Sequence, residues 1–156
     1  MRNRKAAVIA GIVAGVFATL VELMLWWFAG FPLPETLFRD ARLAAAIVLG
    51  RPALVAQPTF DWRVMLTATL LHFSLSVAYA GCLLILIARA SWRASVAAGA
   101  IFGLALFAIN MYGFTLIFPW FAVSRDWITA TAHVVFGVVA AAVCKATQVR
   151  RPETRR

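Results

Sequence analysis

The chain has 156 residues, of which 63% are hydrophobic and 13% charged, with a mean hydropathy of +0.87 and a formal charge of +9. An ordinary soluble domain is about half apolar and about a quarter charged, so this balance excludes one and points to an integral membrane protein. The excess of basic residues does not indicate nucleic-acid binding, because the basic residues carry no aromatic interleaving and sort by position between hydrophobic runs.

The first apolar run occupies residues 6–30 and follows a basic start at Arg2, Arg4 and Lys5. It is long enough to cross a bilayer, which takes roughly 20 residues of helix. It is too long for a signal peptide, contains Glu22 and lacks a small-x-small cleavage pattern before Trp26-Trp27, so it is read as a retained helix. Gly11 and Gly15 lie four apart with Ala7, Ala14 and Ala18 nearby, a spacing that lets a neighbouring backbone approach closely. Trp26, Trp27 and Phe28 mark the membrane interface.

Residues 31–63 are too many for a simple loop. Pro34 suits the start of a helix and Gly50 its stop. Between them a helix over 35–49 places Leu37, Ala41, Ala44 and Val48 on one side, with Glu35, Arg39, Asp40 and Arg42 largely elsewhere. Such a segment is expected to lie on the interface as an amphipathic cap.

Three further spans are expected over residues 64–88, 94–118 and 128–147, with a tight turn at Arg89–Arg93 and a basic, disordered tail over 148–156. Runs this long and unalternating form helices rather than barrel strands. The fold class is therefore all-α: a four-span bundle forming a single domain over residues 1–156. Counting charge on each side, Arg2, Arg4, Lys5, Arg89, Arg93, Lys145, Arg150, Arg151, Arg155 and Arg156 fall together, against Arg39, Arg42, Arg51, Arg63 and Arg125. The positive-inside rule then puts both termini in the cytoplasm and the 35–49 helix on the outer side of the membrane. Cys82 and Cys144 have neither zinc nor disulfide spacing and read as buried small apolar residues.

The halves repeat. Ala10, Gly11, Gly15 and Glu22 match Ala98, Gly99, Gly103 and Asn110 at a constant offset of 88. Asp61-Trp62 and Asp126-Trp127 precede the second and fourth spans, and a Thr-Ala-Thr tripeptide precedes both His72 and His133. An even number of spans per half relates the halves by an axis along the membrane normal.

Each span carries one strongly polar residue: Glu22, His72, Asn110 and His133. All four lie roughly 8–12 Å below the outer ends of their helices, at 1.5 Å per residue. Intramembrane ionisable residues face the bundle interior and mark functional sites, so these four are the candidate ligand-binding layer. Glu22 is expected to pair with His72 or His133. Thr69, Thr131 and Tyr79 are supporting hydroxyls, with Thr19, Ser76 and Thr115 nearby. Single polar residues of this kind also serve as interhelical glue.

Three functions fit. The first is proton, ion or small-solute handling, although no broken helix or filter-like carbonyl run is visible. The second is a b-type haem ligated by His72 and His133, with Ala68, Ser76, Ala130 and Gly137 leaving room for the ring, or a metal held by Glu22, His72 and His133. The third is a structural or assembly subunit. The partners are the lipid bilayer and a second copy or a membrane-complex partner, with no nucleic acid. No nucleophile–base pattern or phosphate loop suggests an enzyme.

The segments AGIVAGVFATLVE, RDARLAAAIVLGRPAL, LLHFSLSVAYA, INMYGFTLIFPWFAVSRDW and AHVVFGV resemble a family of small four-helix bacterial inner-membrane proteins of uncharacterised function, some labelled sodium:proline symporter. More distantly, the His-x-x-Phe and Phe-Pro pieces look like YagU-like inner-membrane proteins. A genuine symporter of that class is far larger and has unwound helices, so the resemblance implies a bacterial inner-membrane location and brings no active residues.

Overall fold

The computed structural model describes residues 2–55 and 57–149. The tail beyond residue 149, expected to be disordered, lies outside the described residues. Among the described residues six α-helices follow one another: α1 Arg2–Phe28, α2 Glu35–Leu49, α3 Pro52–Val55, α4 Trp62–Leu86, α5 Trp92–Ala108 and α6 Trp127–Val149. There is no strand among the described residues. Four helical segments, Asn3–Phe28, Trp62–Leu86, Trp92–Leu116 and Trp127–Thr147, are long and apolar enough to cross a membrane. The chain is a multi-pass, all-α membrane protein.

Local chemistry sets the helix ends. Asp61 caps α4, accepting from the Arg63 and Val64 amides, and Asp126 does the same for α6 through the Thr129 amide at 2.8 Å. Ser91 caps α5 through the Ala94 amide. Each cap satisfies donors that a helix start leaves without partners. Gly50, at φ +78°, closes α2 in the left-handed region that side chains avoid.

Packing order is α5–α6–α1–α4, with α2 laid across α4 and α6 also touching α4. Lipid offers no hydrophobic drive for helix association, so close backbone contact does much of the holding. On α1, Ala6, Ala10, Ala14 and Ala18 form a buried ridge with Ala7, against Leu83 and Leu84 of α4 and Ala140, Ala141 and Cys144 of α6. A methyl group on Gly11 would stand 2.5 Å from the Val77 Cα of α4. Gly99 and Gly103 let α5 meet α6 backbone to backbone at Gly137 and at the His133 carbonyl. All four glycines therefore pack helices of one chain.

The sequence repeat does not carry over into equal packing. An axis relating the halves would press α4 against α5 as closely as α1 against α6. Instead α4 and α5, though joined by a short turn, do not pack along their length. The bundle is open on that side.

Three further expectations change. The third span leaves the α-helical path after Ala108, continuing as a π-helical turn over Ile109–Gly113 and 3-10 turns over Phe114–Leu116 and Pro119–Ser124. A π turn shifts carbonyls out of their usual pairing; here Met111 O receives the Thr115 hydroxyl at 3.1 Å and Arg125 Nε at 2.6 Å. Arg42 does not face water. It is 6% exposed, donating to Ala53 O and Thr59 O and so tying α2 to the segment before α4, while Val48, expected on the packed face, is 63% exposed. Cys144 is buried as expected, but Cys82 is exposed on the outer face of α4.

Candidate functional site

Glu22, His72, Asn110 and His133 line one cavity of about 170 Å³, together with Thr19, Ser76, Tyr79 and apolar residues of α1, α4, α5 and α6. Depth alone brings these four together because each sits on the inward face of its helix. The glycines set the close approach. Gly103 lets α5 ride on the His133 carbonyl, and two turns later Asn110 reaches the His133 ring. Gly15 plays the same part on α1, where an added methyl would stand 3.0 Å from His72 Nε2.

The polar groups form a directional chain. His133 Nδ1 lies 2.8 Å from Thr129 O. A carbonyl only accepts, so Nδ1 carries a proton. In the neutral ring Nε2 is then an acceptor, and Asn110 Nδ2 donates to it at 3.2 Å. That orientation leaves Asn110 Oδ1 to accept from the Tyr79 hydroxyl at 3.0 Å. The Thr129 hydroxyl in turn donates to Glu22 Oε1 at 3.4 Å. The hydrogen bonds Tyr79–Asn110–His133 thereby join α4, the π turn after α5 and α6, and the Thr129 hydroxyl, a separate group from the carbonyl that His133 meets, joins α6 to Glu22 of α1.

Several expectations about partners differ. Glu22 pairs with neither histidine; its hydrogen-bond partner is the Thr129 hydroxyl, one turn before His133. Sequence reasoning missed Thr129, although its four-residue spacing from His133 puts both on one helix face. Thr131 donates to Trp127 O on its own helix. Thr115 is taken by Met111 O, Tyr112 O and Arg125. Thr69 lines a second cavity instead. His72 Nε2 is buried without a hydrogen-bond partner among the described residues, which is rare for a buried polar atom.

The arrangement does not suit the cofactor readings. His133 has both ring nitrogens engaged, and the Gly99 backbone occupies the space beside Gly137 that a haem ring was expected to use. A cavity of about 170 Å³ is also below the roughly 300 Å³ at which small-molecule pockets begin. Among the described residues no three His, Cys, Asp or Glu side chains converge as metal ligands, Glu22, His72 and His133 included.

The second cavity, about 410 Å³, lies between α1, α2 and α4 and shares Thr19, Glu22 and His72 with the first. Asp40 of α2 faces it. Burial pushes the Asp40 carboxyl up from the usual range, and Arg39 beside it, bonded to Oδ1 at 2.8 Å, offsets part of that rise. An amphipathic helix on a membrane surface turns its acids to water; α2 turns this one inward because its other face is held by the Arg42 bonds and by Trp120 Nε1, which donates to Leu43 O.

Comparison of the chain with protein-family models, with curated proteins and with solved structures returns no match.

Proposed function

We propose that the protein handles protons at the intramembrane site formed by Glu22, Thr129, His133, Asn110 and Tyr79. One observation carries the reading: the chain of hydrogen bonds is self-consistent in two forms that differ by one proton. With His133 neutral, Tyr79 donates to Asn110 and Asn110 to His133. With His133 doubly protonated, Nε2 becomes a donor, the Asn110 amide turns over to accept from it, and its nitrogen donates to the Tyr79 oxygen. The Glu22 carboxylate, held through Thr129, supplies the countercharge. Ionisable residues inside a membrane are costly to place there, and they mark proton and ion pathways.

The setting we propose is a bacterial inner membrane, as the family resemblance implies, with both termini in the cytoplasm, an orientation supported by the ten-to-five division of basic residues along the sequence. On that orientation the α2 end is periplasmic.

The test is proton movement into liposomes containing the purified chain and an enclosed pH-sensitive dye, driven by a potassium diffusion potential. Wild type is expected to carry protons, and Glu22→Gln and His133→Gln to fall to the rate of empty liposomes while remaining folded. A wild type no faster than empty liposomes, or folded variants as fast as wild type, removes the reading and leaves the network as interhelical glue.

A further inference from the structure

The proton chain does not use the larger cavity. Its wall is mostly apolar, with Leu20, Leu37 and Met65 and the rings of Trp26 and Phe73. Two carboxylates nevertheless face into it, Glu22 from α1 and Asp40 from α2. Each has an oxygen without a hydrogen-bond donor among the described residues: Glu22 is bonded only through Oε1, and Asp40 only through Oδ1. The nearest cation, Arg39, is bound to Asp40 from outside the wall. With both carboxylates ionised, the single guanidinium leaves one negative charge uncompensated in a low-dielectric space; burial resists that state by favouring protonated Asp40, and a cation entering the cavity compensates the charge.

The chemistry of the wall narrows what that counter-ion is. A bare metal ion needs several converging oxygen or nitrogen ligands, and among the described residues no such group of three is present. An anion is repelled. The surplus of one charge calls for a monovalent ion, and apolar walls with two aromatic rings favour one with an organic body, since ring faces attract cations. The volume of about 410 Å³ lies within the roughly 300–1,000 Å³ of small-molecule sites.

We infer that the cavity between α1, α2 and α4 binds a small amphipathic organic monocation, an alkyl- or arylammonium, its charged end facing Glu22 and Asp40 and its apolar body against Trp26 and Phe73. This deepens the reading of Glu22 as the working carboxylate, because Glu22 borders both cavities.

The experiment is calorimetric titration of the full chain in detergent with benzyltrimethylammonium, a permanent cation, and with neopentylbenzene, its uncharged isostere. Saturable binding of the cation is expected, weakened about tenfold or more in Asp40→Asn and in Glu22→Gln and abolished by the cavity-filling Ala44→Phe. The isostere should be indifferent to both carboxylate changes. Absence of saturable cation binding by wild type, or binding that none of the three substitutions alters, overturns the inference. If a carboxylate variant does not fold, Ala44→Phe and the comparison of cation with isostere on wild type still decide.

Repeating the titration in nanodiscs separates the two sources of such an ammonium. Weaker binding in phosphatidylcholine than in an uncharged galactolipid, both without net charge, identifies a lipid headgroup as the occupant, and equal binding identifies a free amine. Made of phosphatidylglycerol alone, the liposomes of the proton assay contain no organic ammonium, so the two readings fail separately. Carboxylate-dependent binding without proton movement keeps this inference alone, and proton movement without binding removes it alone.

Discussion

Replacing Tyr79 by Phe deletes one hydroxyl and, with it, the 3.0 Å bond to Asn110. Replacing Asn110 by Leu deletes that bond and also the 3.2 Å bond to His133. Interhelical hydrogen bonds in membranes average about 0.6 kcal/mol and reach about 1.7. Tyr79→Phe should therefore cost about 0.6 kcal/mol. Asn110→Leu should cost about 1–3 kcal/mol, since it removes two bonds and strands a ring nitrogen. Because both changes break the same bond, the double variant should be less damaged than the sum, by about 0.6 kcal/mol or more. Unfolding by steric trapping in bicelles measures all four corners of this cycle. Costs that add to within about 0.3 kcal/mol mean that the two side chains act independently, and that result refutes the chain at its first link. The His133 ring gives a second readout. Its ¹⁵N spectrum should show a neutral ring protonated on Nδ1, and a neutral ring protonated on Nε2 would contradict the Thr129 contact.

Three other perturbations follow from the packing and the charges. Gly103→Ala places a methyl group against the His133 backbone and should cost about 1–3 kcal/mol by overpacking, whereas Gly113→Ala, with open space around it, should change thermal stability little. Arg125→Gln releases Met111 O and Thr115 and the face of the Tyr112 ring, for about 1.5–3 kcal/mol by loss of charged hydrogen bonds; thermal unfolding reads the loss. Asp40, whose carboxyl is raised by burial against the partial offset from Arg39, favours the fold when protonated. That contribution is complete below its unfolded pKa and is lost as pH rises through its folded one, so Asp40→Asn should raise the melting temperature at pH 8 more than at pH 4. An equal or opposite difference would show that the Arg39 bridge outweighs burial.

The spans and the 35–49 helix were legible because hydropathy and end-capping are local signals. Asp61 and Asp126 could be read as helix starts from a few residues each. The polar layer was legible for a related reason: counting residues from a span's end measures depth, and an inward-facing polar side chain is the default in lipid. Partner choice was not legible. Whether Glu22 meets a histidine or Thr129 depends on the rotation of α1, which its Gly11–Gly15 contact with α4 and its alanine ridge against α6 set and hydropathy does not record. The π turn at Asn110 has no periodic signature, since its stability comes from Arg125, fifteen residues further on. Asp40 was misread because an amphipathic pattern tells which residues share a face, and the tertiary bonds of Arg42 and Trp120 tell which way that face turns.

The lack of packing between α4 and α5 along their length divides the molecule mechanically. On one side α5 and α6 are locked backbone to backbone, and His133 and Asn110 ride on that stiff pair. Tyr79 rides on α4, across the gap. The Tyr79–Asn110 bond is thus a latch on a side door, closed by an interaction comparable to thermal energy. Breaking that bond would open the buried ionisable groups sideways, toward lipid and between the two headgroup layers.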